Sequence, residues 1–201
     1  VLDKAALVKA AGLINGLMFH FNCENDSFAN FSSNLDKISR NYSGLLKKLQ
    51  WVSLGGGIYF TKDNYPLKKF SKKLKEFSKK FSLQVYLEPG ETVISQSAEL
   101  VTKVLDIVHN QIDIAIVDSS TEAHMLDLLV YRIPAKIDLN RKGKFKYMVA
   151  GRSCLAGDIF GIYKFKSRLR PGKVIKISDA AGYTMVKKNW FNGLKMPSIV
   201  I

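Results

Sequence analysis

Cysteine is nearly absent from this sequence. Cys23 and Cys154 are the only two in 201 residues, and they stand far apart in unlike surroundings. That excludes a disulfide-stapled fold and leaves two reduced thiols in a cytosolic protein as the expectation. Long apolar runs are also missing. The apolar stretches are strand-sized, so no membrane span is expected. The opening residues, Val1-Leu-Asp-Lys-Ala5, carry charges where a secretory signal needs an apolar core, so no signal peptide is expected. Acidic residues are scarce beside basic ones: 17 against 31, for a net charge of +14. Such an excess suits nucleic acid. Much of it, however, is gathered in Lys68, Lys69, Lys72, Lys73, Lys75, Lys79 and Lys80, interleaved with Leu67, Phe70, Leu74, Phe77 and Phe81 at three- and four-residue spacing. This is the pattern of one amphipathic helix with a solvated basic face. No nucleic-acid motif accompanies it, and no nucleic-acid partner is expected.

What is present is a soluble globular composition, 47% hydrophobic and 24% charged, enough for one large domain or two small ones. Leu83 to Leu87 alternates aliphatic, β-branched and aromatic residues and predicts a buried strand that stops at Glu88-Pro-Gly-Glu91. Two earlier strands end in the same abrupt way. Leu17-Met-Phe19 runs into His20-Phe-Asn-Cys-Glu-Asn-Asp26, and Trp51-Val-Ser-Leu54 runs into Gly55-Gly-Gly57. Between them the spacing of Phe28, Phe31, Leu35, Ile38, Tyr42, Leu45 and Leu49 predicts a helix capped by Asp26 or Ser27. The lysine-rich helix is expected over 66–81, with Pro66 in its first turn. Phe19, Val52 and Val85 stand 33 residues apart. A strand–loop–helix unit of that size implies a parallel sheet, in which the loops after the strands share one face and carry the chemistry. From about Thr92 the texture turns to strands: Leu100–Val108 (which fits a helical face equally), Ile112–Val117, Lys146–Ala150, Ile159–Phe165, Lys173–Ile177 and Tyr183–Val186. A partial β/α barrel over 1–92 and a β-rich domain over 93–201 are therefore expected.

Three features carry chemistry. Gly55-Gly56-Gly57 after a strand lets backbone N–H groups approach an anion such as phosphate, and a tight turn explains it about as well. His20 follows a strand end, where a satisfied structural histidine is the plain alternative. Gly151-Arg-Ser-Cys-Leu-Ala-Gly-Asp158 sets a thiol between glycines beside a carboxylate, with a buried structural cysteine as its alternative.

Together with their surroundings these residues match a family. The chain resembles the pyridoxal-phosphate-dependent ornithine and diaminopimelate decarboxylases with the alanine-racemase-like fold, and within them the carboxynorspermidine (carboxyspermidine) branch. The likeness rests on Gly16-Leu-Met-Phe-His-Phe-Asn-Cys-Glu-Asn25, Trp51-Val-Ser-Leu-Gly-Gly-Gly57 and Tyr86-Leu-Glu-Pro-Gly-Glu91. It continues through Ser120-Thr-Glu-Ala-His124, Ser153-Cys-Leu-Ala-Gly-Asp158, Ala181-Gly-Tyr-Thr-Met-Val186 and Asn189-Trp-Phe-Asn-Gly-Leu-Lys-Met-Pro-Ser198. It runs over essentially the whole chain, in order.

The resemblance implies a C-terminal part of a cofactor-binding (β/α)8 barrel followed by a β-rich barrel or sandwich. It implies pyridoxal 5'-phosphate as cofactor, with His20 stacked on the ring, Gly55, Gly56, Gly57 and Tyr183 on the phosphate, and Glu88 at the pyridine nitrogen. A carboxylate there keeps the nitrogen protonated, so that the ring accepts electrons as carbon dioxide leaves. Cys154 is implied to serve a partner subunit's site and return the proton, which makes the enzyme a homodimer with shared sites; a cytoplasmic location is the expectation. The better-known members carry arginine where Glu91 stands and Gly-Ser where Asn22-Cys23 stand. Both changes occur in the carboxynorspermidine branch and leave Glu91 to face a small polycationic substrate. Glu24, Glu122, His124, Asp127 and Asp158 are the other candidates for binding it. Glu122, His124 and Asp127 have a local turn as their plain alternative. No metal is expected.

The family's cofactor lysine lies in an Ala-Leu-Lys stretch on the first barrel strand, and no such stretch occurs here. A full barrel needs roughly 200 residues, so the chain is expected to be the C-terminal part of a longer enzyme, stopping before the family's final segment. Two alternatives stand beside this reading. One is a decarboxylase of another basic amino acid, of the ornithine or diaminopimelate type. The other is a non-catalytic homologue that binds polyamines or a protein partner.

Overall fold

The computed structural model describes residues 3–10, 12–137 and 143–201. Val1 and Leu2, on which the reading of the N-terminus partly rests, lie outside them. The chain divides into two compact units, Val1–Val93 and Ile94–Ile201.

The first unit opens with a short helix, α1 (Lys4–Ala10), and then repeats strand and helix: β1 (Gly16–Met18), α2 (Phe28–Asn41), α3 (Ser43–Leu46), β2 (Trp51–Ser53), α4 (Leu67–Phe81), β3 (Gln84–Tyr86) and α5 (Gly90–Ile94). The strands form a parallel sheet in the order β1-β2-β3. Leu17, Val52 and Val85 stand side by side. The expected period therefore holds from β2 to β3, while Phe19 lies two residues beyond its expected partner. Alternation puts Leu17, Val52, Leu54 and Val85 into a core built with Phe31, Leu35 and Ile38 of α2 and Phe70, Phe77 and Phe81 of α4. The lysines of α4 follow the polar side of its helical period, as the spacing predicts.

Three expectations for this unit need correction. The helix over 28–49 breaks at Tyr42, whose φ of −121° and ψ of 18° are not helical. Asn41, Ser43 and Gly44 are weak helix formers, and the break lets Leu45, Leu46 and Leu49 turn back into the core. Pro66 caps α4 from outside its first turn. β3 is an edge strand of this sheet, not a buried one: Gln84 and Tyr86 are exposed, and only Val85 of its three residues is half-buried.

The second unit runs β4 (Leu100–Asn110), β5 (Ile112–Val117), α6 (Thr121–His124), α7 (Leu126–Tyr131), β6 (Phe145–Ala150), β7 (Ile159–Phe165), β8 (Val174–Ile177) and α8 (Tyr183–Val186). The five strands make one sheet in the order β7-β6-β5-β4-β8. Leu100, Thr102 and Val104 point inward and Val101, Lys103 and Leu105 outward, which decides β4 as a strand. β5 and β6 are parallel, so a crossover must join them, and α6 and α7 lie in it. Tyr183–Val186, expected as a strand, is a single helical turn entered through Gly182 at φ 62°. Four residues are too few for period to tell the two apart. Among the described residues no helix is long and apolar enough to cross a membrane.

Candidate active site

In the first unit the loops after β1, β2 and β3 meet. The parallel ladder continues past the strand ends, with Phe19 N–H donating to Ser53 O at 2.8 Å and Leu54 N–H to Tyr86 O at 3.0 Å. The three glycines are where the loops close on one another. A Cβ on Gly55 would lie 2.2 Å from His20 Nδ1, one on Gly56 2.3 Å from Glu88 O, and one on Gly57 2.7 Å from Asn22 O. Gly55 and Gly57 also take positive φ, +71° and +74°, which side chains resist. The triglycine is thus a tight turn and a close approach at once. Among the described residues the N–H groups of Gly56 and Gly57 meet no protein acceptor, while that of Gly55 donates to Ser53 Oγ at 3.1 Å. A strand end offering two unengaged N–H groups is chemically suited to an anion such as a phosphate.

His20 and Glu88, both exposed, flank this loop. The His20 ring lies against Gly55. Glu88 Oε1 accepts a 2.6 Å hydrogen bond from Ser53 Oγ, and Glu88 N–H donates to Gly55 O at 3.0 Å. The structure therefore brings His20, Gly55, Gly56, Gly57 and Glu88 to one mouth. A ring cofactor bearing a phosphate fits this set: N–H donors for the phosphate, an imidazole beside them, and a carboxylate for a ring nitrogen.

Glu24 and Glu91 occupy the flanking segments. Glu24 is exposed at a φ of 50°, and Glu91 sits in the first turn of α5. Two residues that the sequence reading passed over hold the first loop in place. Asn22 is buried; its Nδ2 donates to Leu54 O at 3.5 Å and its Oδ1 accepts from Asn25 Nδ2 at 2.8 Å. Asn25 N–H in turn donates to Gly57 O at 2.8 Å. The available signal was the pair of amides, Asn22 and Asn25, flanking Cys23-Glu24.

In the second unit the segment from Gly151 to Asp158 is the loop joining β6 to β7. Cys154 is exposed on it, and its N–H donates to Asn192 Oδ1 at 2.7 Å. The loop winds around Asp158, which is 3% exposed. One carboxylate oxygen accepts from Thr121 N–H at 2.7 Å and Thr121 Oγ1 at 2.8 Å. The other accepts from Ser153 N–H at 3.1 Å and Ser153 Oγ at 2.6 Å. Burial works to raise its pKa, yet the hydrogen bonds from Ser153 and Thr121 outweigh it and hold the carboxyl below the ordinary 3.8.

The remaining candidates in this unit have protein partners of their own. His124 is buried; Ser120 N–H donates to its Nδ1 at 3.0 Å, and Nε2 lies 3.0 Å from Lys195 O. This pairing places the proton on Nε2, and burial pushes the imidazole pKa below its usual value. Asp127 pairs with Lys187 Nζ at 2.6 Å, and Glu122 accepts from Asn189 Nδ2 through its main-chain carbonyl at 2.9 Å. Asp158 and His124, both candidates for substrate binding, have their polar atoms engaged by Thr121 and Ser153 and by Ser120 and Lys195 in this way. Tyr183 opens α8, exposed, with the Lys187 ammonium 4.5 Å from its ring centre.

Comparison with known proteins gives consistent matches. The family model described as the C-terminal sheet domain of pyridoxal-dependent decarboxylases matches residues 35–181. The carboxynorspermidine/carboxyspermidine decarboxylase of Herminiimonas arsenicoxydans is 48% identical over 199 residues, which cover 99% of this chain and 54% of that protein. The corresponding protein of Campylobacter jejuni is 37% identical over 202 residues, covering 94% of this chain and 53% of its own length. The crystal structure of carboxynorspermidine decarboxylase from Campylobacter jejuni complexed with norspermidine aligns with a TM-score of 0.84 at 35% identity, over 98% of this chain and 55% of that one. The chain thus spans about half the length of the curated relatives it matches.

Proposed function

Because the chain belongs to the pyridoxal-dependent decarboxylase family, we propose that it carries part of the active site of an enzyme that removes the carboxylate of carboxynorspermidine or carboxyspermidine to give norspermidine or spermidine. The fold class agrees: three βα units in parallel order precede a five-stranded sheet, and the solved relative shares this arrangement. The observation that carries the reading is the single mouth where Glu88, His20 and the glycine loop meet. The names of the relatives supply the substrate class.

The residues have separate tasks in this proposal. Gly56 and Gly57 N–H, with Tyr183, hold the cofactor's phosphate, and His20 covers its ring. The Glu88 carboxylate holds a proton on the ring nitrogen. When bound, pyridoxal phosphate supplies an electron-accepting ring for the carbon–carbon bond that breaks as carbon dioxide leaves. Cys154 Sγ holds the proton returned to the substrate carbon, in the site of a second copy of the chain. Glu24 and Glu91 pair with the substrate's ammonium groups, which a polycation needs in a protein of net charge +14. A cytoplasmic homodimer is part of the same proposal.

The test is direct. The intact protein, supplied with pyridoxal phosphate, should release carbon dioxide from carboxynorspermidine or carboxyspermidine far faster than from ornithine or diaminopimelate. Preference for either amino acid would move the reading to another branch of the family. Polyamine binding without turnover would identify a non-catalytic homologue.

A further inference from the structure

We infer that Ser53 is the positioning residue for Glu88, an inference that rests on the decarboxylase reading above. Three residues, the last of β2 and one from each of the loops after β2 and β3, close a ring of hydrogen bonds. Glu88 N–H donates to Gly55 O at 3.0 Å, Gly55 N–H donates to Ser53 Oγ at 3.1 Å, and Ser53 Oγ donates to Glu88 Oε1 at 2.6 Å. The direction around the ring is fixed by chemistry. A backbone N–H can only donate, so the Gly55 bond occupies a lone pair of the Ser53 oxygen and leaves its hydrogen for the carboxylate. The bond to Glu88 is then charge-assisted, and its 2.6 Å length is typical of an O–H donor to a carboxylate.

The asymmetry of burial gives the ring its purpose. Ser53 is buried, 4% exposed, inside the apolar stretch Val52-Ser53-Leu54. Glu88 is exposed, and packing alone does not choose a rotamer for an exposed glutamate. The hydroxyl makes that choice. It engages Oε1 and leaves Oε2 to meet a ring nitrogen. Because the same hydroxyl accepts from Gly55, the phosphate end of the proposed site and the carboxylate end are set by one side chain. Alanine at this position leaves the strand and its apolar neighbours in place and removes only the hydroxyl. Ser53 touches neither substrate nor cofactor in this arrangement; it acts through Glu88.

The experiment uses the intact protein with Ser53→Ala and Ser53→Thr. A loosened supporting group misaligns the atom it holds, so kcat of Ser53→Ala should fall by roughly 10- to 100-fold with KM nearly unchanged, while the buried Gly55 N–H, left without its acceptor, should lower the thermal midpoint and cofactor affinity by a smaller margin. Ser53→Thr, which keeps the hydroxyl, should recover most of the loss. A second readout needs no cofactor: in crystal structures of the apo proteins, Glu88 Oε1 should stay against residue 53 in the parent and in Ser53→Thr, and leave that place in Ser53→Ala. The inference is overturned if Ser53→Ala keeps the parent kcat, if the loss falls on KM or cofactor affinity alone, or if Glu88 holds its place without the hydroxyl. Should the parent itself fail to decarboxylate, the functional reading falls, and the apo structures still decide whether Ser53 sets Glu88.

Discussion

Asp158 shows what a single buried charge can do here. Its two oxygens take four hydrogen bonds from Thr121 and Ser153. Gly151 is required beside it, since a Cβ there would lie 2.2 Å from Asp158 Oδ2. Replacing Asp158 with Asn puts an amide NH2 where an oxygen now accepts from two donors, which should cost about 2–3 kcal/mol at neutral pH in denaturant unfolding. The sign of the pH dependence follows from the depressed pKa. The carboxylate's contribution is complete above the unfolded value near 3.8 and is lost as pH falls through the lower folded value. The gap between parent and Asp158→Asn should therefore narrow in acid. A gap that stays constant from neutral pH to pH values below 3.8 would mean that the ionised form is not what the loop needs. Residues of this kind were poorly legible in the sequence. His20, Glu88, the triglycine and Cys154 announce themselves because they interrupt apolar periodicity. Ser53, Asn22 and Asn192 act through hydrogen bonds to residues 32 to 38 positions away, and no local pattern encodes such a partner. Asp158 was visible as a motif, but its burial and its four hydrogen-bond partners were not.

Among the elements, the helices that back the sheet decide whether the loops stay together. Phe31 of α2 is fully buried, stacked on Phe21 with ring centres 6.0 Å apart and edge-to-face with Phe70 at 4.9 Å. It joins the residue after His20 to α4, so its loss should be felt in the site as well as in the core. Phe31→Ala should cost about 3–5 kcal/mol, measured as a drop in the unfolding midpoint, and Phe31→Leu clearly less. A cost below about 1 kcal/mol would show that the neighbouring rings collapse into the space and that the cluster carries little specificity. Elements with a long period were legible: α2 and α4 follow from their apolar spacing, and β1, β2 and β3 from the abrupt polar loops that end them. Short ones were not. α6, α7 and α8 have four to six residues, too few to show a period; α6 and α7 are placed by the crossover between parallel strands and the Ser120 cap on α6, and α8 is entered through Gly182.

For the whole molecule, the proposed site residues fall in both units: His20 and Glu88 in the first, Cys154 and Tyr183 in the second. The change of texture near residue 92 has a physical basis, because a parallel sheet with helices and a mostly antiparallel sheet have different sequence periods. Which copy's thiol serves which copy's mouth is a separate matter, and the proposal commits to sharing between subunits. Cys154 is exposed on a loop whose backbone is held by Asn192 at the Cys154 N–H and by Asp158 at the N–H of Ser153. That suits a thiol offered outward from a rigid support. The decisive measurement mixes two inactive variants of the intact protein, Cys154→Ala and His20→Ala, under conditions shown to exchange subunits. If each site draws its thiol from the other copy, a mixed dimer collects both lesions in one site and leaves the other whole. Random one-to-one mixing makes half the dimers mixed, each with half its sites intact, so activity should return to at most about a quarter of the parent's. If each site draws its thiol from its own chain, every site in every dimer keeps one lesion, and mixing restores nothing. Full exchange without recovery would therefore return Cys154 to its own chain's site or remove it from the reaction.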